Sequence, residues 1–498
     1  MSYPINPRDQ RQLFLDDRAI EGCRNVRRRL HRPAIHGPII EPQGEQVSVQ
    51  SRSIPYFNPD KGHWEWWYWA NHPCEPYGPW HSTAVAYTHY AVSDDGFEWD
   101  LPELGLHALN GSTANNIAMD PALGERALYH ILCDPRDVDP AQRYKAMMGH
   151  HNRAPHVSAN GFDWTAVDTP SVQSSDESHL TWDPQTQRFI ATVKIGTEWG
   201  RSVWLSTSEE FLSWTAPELI LHTDPEDCNN RIKRVREAVD DPTLVSPPLV
   251  DDGDYMAELY QMAVLPYEGL YVGFPLLFNP AGAIPPPQMN HTGLNQVELA
   301  VSHDLRSWER VASRERFLAI EPWDGNAYGT AQVALCGTPI VTNDEILIYY
   351  NALRFRGHQE LYPKKYHPYF NRISALNLAR LRRDGFVSLA ATGNGSVVTK
   401  PFAYQGEAIH INANAEGGEL RAELLDGVTL KPIEGYTANR SAVVTTDTLD
   451  TALTWSEGAK AHPGSVRLRV ALCDAELYSY WLESRTGSVD PSSNRPRR

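Results

Sequence analysis

The chain has 498 residues, of which 41% are hydrophobic and 21% charged, and its formal net charge is −17. Those proportions are globular, and at about 150 residues per domain the length implies two to four domains. The acidic balance argues against a nucleic-acid backbone or an anionic membrane as partner. No run of 18 apolar residues is present to form a membrane span.

The first residues, MSYPINPRDQRQLF, lack a basic stretch followed by an apolar one. No secretory leader is therefore expected, and the expected compartment is the cytoplasm. Six cysteines are scattered without CxxC spacing, so neither a zinc site nor a disulfide framework is expected, and the thiols should be free. Residues 1–44 contain the basic cluster RNVRRRLHRP at 24–33. In so acidic a chain, an arm salt-bridged to the domain that follows is the expected role, rather than a nucleic-acid site.

From residue 45 two phrases alternate. One is a polar turn leading into a strand rich in aromatic and β-branched residues: NPDKGHWEWWYW (58–69), DPAQRYKAMM (139–148), DPQTQRFIATVK (183–194), LPYEGLYVGFP (265–275) and TNDEILIYYNA (342–352). The other ends a strand in Val-Ser or Thr-Ser, turns through Asp, Asn or Gly, and closes on an aromatic. Its copies are VSDDGFEW (92–99), VSANGFDW (157–164), STSEEFLSW (206–214), VSHDLRSW (301–308) and, degenerate, ARLRRDGFVSL (379–389). Gly, Asn and Asp supply the positive φ of tight turns. With an upstream strand added, each round holds four strands. Five such rounds predict a five-bladed β-propeller over 45–389. The expected blades are 45–106, 113–169, 173–222, 250–316 and 320–389. An insertion at 223–249 is expected to hold a short helix from Asn230 to Val239.

Beyond 390 the pattern becomes alternating strands with Gly-rich turns, which reads as a β-sandwich over 390–483. The tail 484–498 lacks apolar residues and is expected to be mobile. The fold class is thus all-β, a five-bladed β-propeller followed by a C-terminal β-sandwich.

Six phrases are similar to those of bacterial glycosyl hydrolase family 32-like proteins: LFLDDRAIE (13–21), VSDDGFEWDLPELGLHALNGSTANNIA (92–118), DPAQRYKAMM, STSEEFLSWTAPELIL (206–221), NQVELAVSHDLRSWERV (295–311) and LARLRRDGFVSL (378–389). The architecture resembles that of glycoside hydrolase families 32, 43, 62, 68, 117 and 130. The resemblance implies a glycosidase with its active site in the propeller channel. The chain departs from family 32 itself. It has no WMNDPNG-like stretch, Cys133 precedes Asp134-Pro135 where the family has Arg, and no Glu-Cys acid motif occurs. The family's three carboxylates are therefore not carried over.

Glycosidic cleavage needs one carboxyl group to protonate the leaving oxygen and another as base or nucleophile. Inner strands of a propeller converge at one mouth, so acids at matching offsets are the candidates. Counting back about fourteen residues from the aromatic of each second strand reaches Arg52, His130, Asp176 (with Glu177 beside it) and Glu258, and in the fifth round the upstream stretch holds Glu321, Trp323 and Asp324. Asp176, Glu258, Asp324 and Asp134 are the catalytic candidates, although Asp324 also suits an Asx turn and Asp134 a turn before proline. Arg52, His130, Glu321, Trp323 and His358 are the substrate-binding candidates, with Trp323 as a sugar platform. No metal-binding spacing occurs. His150, His151 and His156 read as a solvated loop, no cofactor is required, and a structural calcium or sodium ion in the channel remains open. The expected partner is a small carbohydrate, with the oligomeric state unassigned. Alternatives on the same fold are a non-catalytic carbohydrate-binding propeller and a phosphorylase or lyase. A phosphorylase would need a basic pocket, to which Arg354 and Arg356 could contribute.

Overall fold

The computed structural model describes residues 5–8, 10–73, 84–119, 128–286, 290–456 and 463–483. The predicted tail at 484–498 lies outside them. Among the described residues the chain is nearly all β, with one α-helix, and no helix is long and apolar enough to cross a membrane. Cys23, Cys133, Cys228, Cys336 and Cys473 are free thiols.

The described strands form sheets of nine, five, four and fifteen strands, and outside the nine-stranded sheet antiparallel pairing groups them into five successive units. Their first strands are Ser48–Gln50, Leu128–Cys133, Ser178–Asp183, Glu258–Tyr267 and Gln332–Leu335. Each is hairpinned to a long second strand, of which Arg188–Thr197 and Leu270–Ala283 are examples. Hydrogen bonds join each unit to the next. Ile131 N donates to Ser53 Oγ (2.8 Å), and Arg153 Nε to Ser178 Oγ (2.6 Å). Thr192 Oγ1 donates to the Met262 carbonyl (2.5 Å), and Gln261 Nε2 to that of Leu335 (3.1 Å). The fifth unit returns to the first. Asn351 accepts from Ser51 N at 2.7 Å and donates to its carbonyl at 2.9 Å. The order of contacts is therefore cyclic.

The repeated turn has a local cause. Gly96 and Gly161 take φ of +81° each, and the equivalent Phe211 and Leu305 take +65° and +67° without being glycine. A serine at the strand end accepts the backbone N–H at this position, as Ser93 does from Gly96 (2.8 Å) and Ser158 from Gly161 (2.9 Å). Three residues on, a tryptophan donates its indole N–H back to the turn, as in Trp99 to Gly96 (3.2 Å), Trp214 to Phe211 (3.2 Å) and Trp308 to Leu305 (2.9 Å). Two further contacts hold the left-handed residue where glycine is absent. Phe211 is fully buried against Phe189, and Leu305 packs beside Val203 and Leu205. Packing there offsets a strain of about 1–2 kcal/mol.

The N-terminal residues divide between two bodies. Ala34–Ile40 pairs antiparallel with Ser374–Arg382, becoming the fourth strand of the fifth unit. Gln12–Leu13, Ile20–Arg24 and Arg27–Leu30 join a nine-stranded sheet formed mainly by the C-terminal part. Its longest strand, Gly464–Leu482, pairs with five others, and its core is built on residues such as Phe14, Ile411, Leu424, Leu468 and Tyr480. Asp384, in the fifth turn, ties these parts together. Fully buried, it accepts from Arg11 (3.0 Å), Asn412 (3.2 Å), Ser479 (2.6 Å) and the Tyr267 hydroxyl.

The insertion helix runs Pro225–Asp240, starting earlier than expected. The signal lies in the sequence Asp-Pro-Glu-Asp. The Asp224 side chain accepts from Glu226 N and Asp227 N, Asp227 accepts from Asp224 N, and Pro225 opens the first turn. Buried Glu298 receives Arg234 of this helix and Arg310 of the fourth unit, which docks the insertion.

Candidate functional site

Several candidates meet at the first strands. Arg52 of the first unit forms a two-pronged ion pair with Glu177 of the third, Nε to Oε2 at 2.5 Å and Nη2 to Oε1 at 2.6 Å. Both side chains are largely buried. A bond between the first and third units spans the second, so these strand ends stand close together. His130, in the second unit, sits at a β-bulge with φ +49°. Bulges re-aim side chains next to functional sites. Its Nδ1 lies 2.6 Å from the Arg52 carbonyl, so Nδ1 carries the proton. Its Nε2 lies 2.7 Å from Ser178 Oγ and accepts from it. Burial, with the neighbouring His179 and Arg153, keeps its pKa well below the ordinary value. With both ring nitrogens occupied and the ring buried, His130 positions three units and does not reach a substrate.

Asp176 precedes the first strand of the third unit. Its side chain is 38% exposed, and Lys194 Nζ stands 2.6 Å away with only 2% exposure. Burial raises the Asp176 pKa, but the charge of Lys194 outweighs it and brings the value to about 2. Lys194 also points at the Tyr260 ring, 3.9 Å from its centre. Tyr260 is the bulged residue of the fourth unit's first strand and is half-buried. Arg201 and Arg356 lie 5.4 and 5.7 Å from the same ring. Arg201 in turn is ion-paired to Glu258, and its backbone N–H donates to Glu258 Oε1 at 3.2 Å. Asp176 and Glu258 are therefore each paired to a cation that lies near the same aromatic ring.

The remaining candidates stand elsewhere. Asp134 follows the far end of the strand Leu128–Cys133, where it caps the hairpin and pairs with Arg136 (2.7 Å) and Lys145 (3.6 Å). Its turn role is the one the structure displays. Glu321 and Asp324 line a separate cavity of about 540 Å³ with Arg354, Arg372, Tyr328 and Asn377. Burial raises the Glu321 pKa against a hydrogen bond from Tyr350 (3.1 Å), and Asp324 adds to the rise. Asp324 accepts from the backbone N–H groups of Asn326 (2.7 Å) and Ala327 (2.6 Å), the Asx turn. Trp323 meets Tyr366 and Tyr369 edge-on at 5.0 and 4.8 Å and packs in an apolar cluster with Phe355, so it is not an open platform. His358 opens the short turn Gln359–Leu361 and is half-buried, and burial lowers its pKa. Among the described residues, no group of three or more His, Cys, Asp or Glu side chains is placed to hold a metal ion.

Lys194, Arg201 and Tyr260 were not among the sequence candidates. Lys194 alone gave a signal, a cation that continues the apolar run before it, and the structure buries it with Phe189–Val193.

No family model matches the chain, and no curated protein matches it. Among solved structures, it is similar to an N-acetylgalactosamine deacetylase from F. plautii in complex with blood group B trisaccharide. The identity is 12%, the TM-score 0.41, and 73% of this chain and 97% of that one are covered. It is similar to an α-L-arabinofuranosidase from Podospora anserina in complex with cellotriose, at 12% identity, TM-score 0.40, and 70% and 97% coverage. A family 117 glycoside hydrolase of Zobellia galactanivorans is similar at 11% identity, TM-score 0.36, and 71% and 90% coverage. The solved structures similar to this chain thus include glycoside hydrolases, the class that the sequence phrases resemble.

Proposed function

We propose that the five units are the blades of a β-propeller, that the nine-stranded sheet is a β-sandwich, and that the protein is a glycoside hydrolase acting on a small carbohydrate at the propeller mouth. The cyclic order of hydrogen bonds and the recurrence of one turn in successive units support the architecture. The observation that supports the activity is that Asp176 and Glu258 are each paired to a cation lying close to the Tyr260 ring. Two carboxyl groups near one aromatic ring are the residue types that glycosidic cleavage requires. Asp176, ionised beside Lys194 and reachable from solvent, takes the base or nucleophile role. Glu258 takes the proton-donating role once substrate draws Arg201 from it. The Tyr260 ring offers an apolar surface to a sugar face.

Asp176→Asn and Glu258→Gln, assayed with aryl glycosides, including furanosides, and with oligosaccharides, test the reading. Each is expected to lower kcat by about 10²- to 10⁴-fold while saccharide binding persists. Turnover retained in both variants removes the assignment. A non-catalytic binding role has one observation in its favour, since Asp176, Glu177 and Glu258 are each tied to a cation. Under it, both variants shift affinity and the parent protein turns over no glycoside.

A further inference from the structure

The strand ends around Tyr260 carry more positive than negative charge, in a chain whose net charge is −17. Lys194, Arg201 and Arg356 lie 3.9, 5.4 and 5.7 Å from the Tyr260 ring, with Asp176 and Glu258 as carboxylates, while Arg52, Arg153 and Glu177 belong to the neighbouring contacts of the first three units. Arg52, Lys194 and Arg201 each have a carboxylate partner. Arg153 and Arg356 have none among the described residues. Arg356 is 2% exposed. It donates to the His291 carbonyl and to Gln332 Oε1, both at 3.0 Å, and lies 4.0 Å over the Phe278 ring. Arg153, equally buried, donates to Ser178 Oγ and to the carbonyls of Gly149 and Ser175, and stacks on Tyr129. A buried guanidinium without a counter-ion is costly, and Arg356 beside the Tyr260 ring leaves a standing demand for negative charge there.

Access decides where that charge would sit. Lys194 and Arg356 are beneath the surface, whereas Arg201 is 34% exposed and Tyr260 half-buried. A ligand oxyanion could therefore bond directly to Arg201 and rest beside Tyr260, with Lys194 and Arg356 acting on it through a low-dielectric interior. We propose that the saccharide taken at this mouth is acidic, its carboxylate or sulfate group bound by Arg201 in the field of Lys194 and Arg356. The proposal rests on the mouth being the saccharide site, as argued above. It adds a consequence for that site. An anion that engages Arg201 loosens its hold on Glu258, whose carboxyl is then free to take up the proton that leaving-group departure needs. An acidic substrate thus helps assemble the site that cleaves it.

Titration calorimetry on the full chain tests this with matched pairs, namely glucuronate-containing oligosaccharides and the same oligosaccharides with the carboxyl reduced to the alcohol. The acidic member is expected to bind at least about tenfold more tightly at low salt, the ratio shrinking as ionic strength rises. Arg201→Gln, a change at a partly exposed side chain, is expected to erase most of that ratio. Equal binding of both members overturns the proposal and leaves the saccharide reading standing. Binding of neither member at millimolar concentration overturns both. Arg201-dependent binding of inorganic phosphate, without discrimination within a pair, assigns the oxyanion to a free co-substrate and overturns its placement on the sugar.

Discussion

Lys194 holds Asp176 at 2.6 Å from a position almost sealed from solvent. A buried ammonium facing a partly exposed carboxylate is an asymmetric pair, since the acid can reach a ligand and the base cannot. Burial alone would raise the acid's pKa, and Lys194 brings it to about 2 instead. Because that pKa lies below the unfolded value, the pair's stabilisation is complete above about pH 4 and is lost as pH falls through about 2. In Lys194→Met, desolvation is left unopposed. The acidic limb of the kcat/KM profile is then expected to move upward by at least about one pH unit, as measured with any substrate the parent enzyme turns over.

Arg52 and Glu177 join the first and third units through a bond that water barely reaches. Removing one partner strands the other charge, at a cost of about 3–5 kcal/mol. Arg52→Met and Glu177→Gln should each lower stability in urea by that order. The double variant should recover part of the loss, because no isolated charge remains. A double variant as unstable as the sum of the singles would mean that the two charges do not act as a pair.

Three glycines with the same φ of +81° separate backbone strain from crowding. A Cβ at Gly111 meets nothing within 4 Å, at Gly96 it comes to 3.0 Å from the Tyr349 hydroxyl, and at Gly161 it comes to 2.4 Å from the Trp67 ring. Gly111→Ala should cost about 1–2 kcal/mol, the left-handed penalty alone. Gly161→Ala should cost at least about 2 kcal/mol more, as overpacking is added, with Gly96→Ala between them. Equilibrium denaturation of the three variants orders them.

Glu268 sits against the N-terminal segment, accepting from Arg11 N at 2.6 Å. Burial and the nearby charge of Asp384 push its pKa up to about 7. A carboxyl group whose folded pKa lies above its unfolded one favours folding in its protonated form. Its contribution is whole below about pH 4 and declines as pH rises through about 7, by up to about 3 kcal/mol. Glu268→Gln keeps a neutral side chain at every pH. The variant should therefore lose less stability than the parent between pH 5 and pH 8, as followed by thermal unfolding.

The repeats were readable because the turn is a local device. A serine, an aspartate or asparagine, a left-handed residue and a returning indole all lie within eight positions, so their chemistry is printed in consecutive residues. The fourth strand of the fifth unit was not readable. It pairs residues 34–40 with residues 374–382, and no phrase in either stretch announces the other. The offset count reached Arg52, His130, Asp176 and Glu258 because each lies in or within two residues of the first strand of its unit. In the fifth unit Glu321 and Asp324 lie well upstream of Gln332–Leu335 and turn into a different cavity. Lys194 and Arg201 were missed for another reason. They come from a second and a third strand, where no shared offset exists, and Arg356 was named only for the basic pocket of a phosphorylase.

The strand Ala34–Ile40 completes a sheet whose other members are among the last of the five units to be made. During synthesis this segment leaves the ribosome early and must then stay unpaired until residue 382 has emerged. Its Ile40, buried in the finished protein among Leu376, Leu378 and Val49, is meanwhile without its pocket. The closing of the circle is thus a late event with a large loop-entropy barrier. Once Ser374–Arg382 is made and before the circle closes, that strand presents an open edge that the segment Ala34–Ile40 of a second copy could fill.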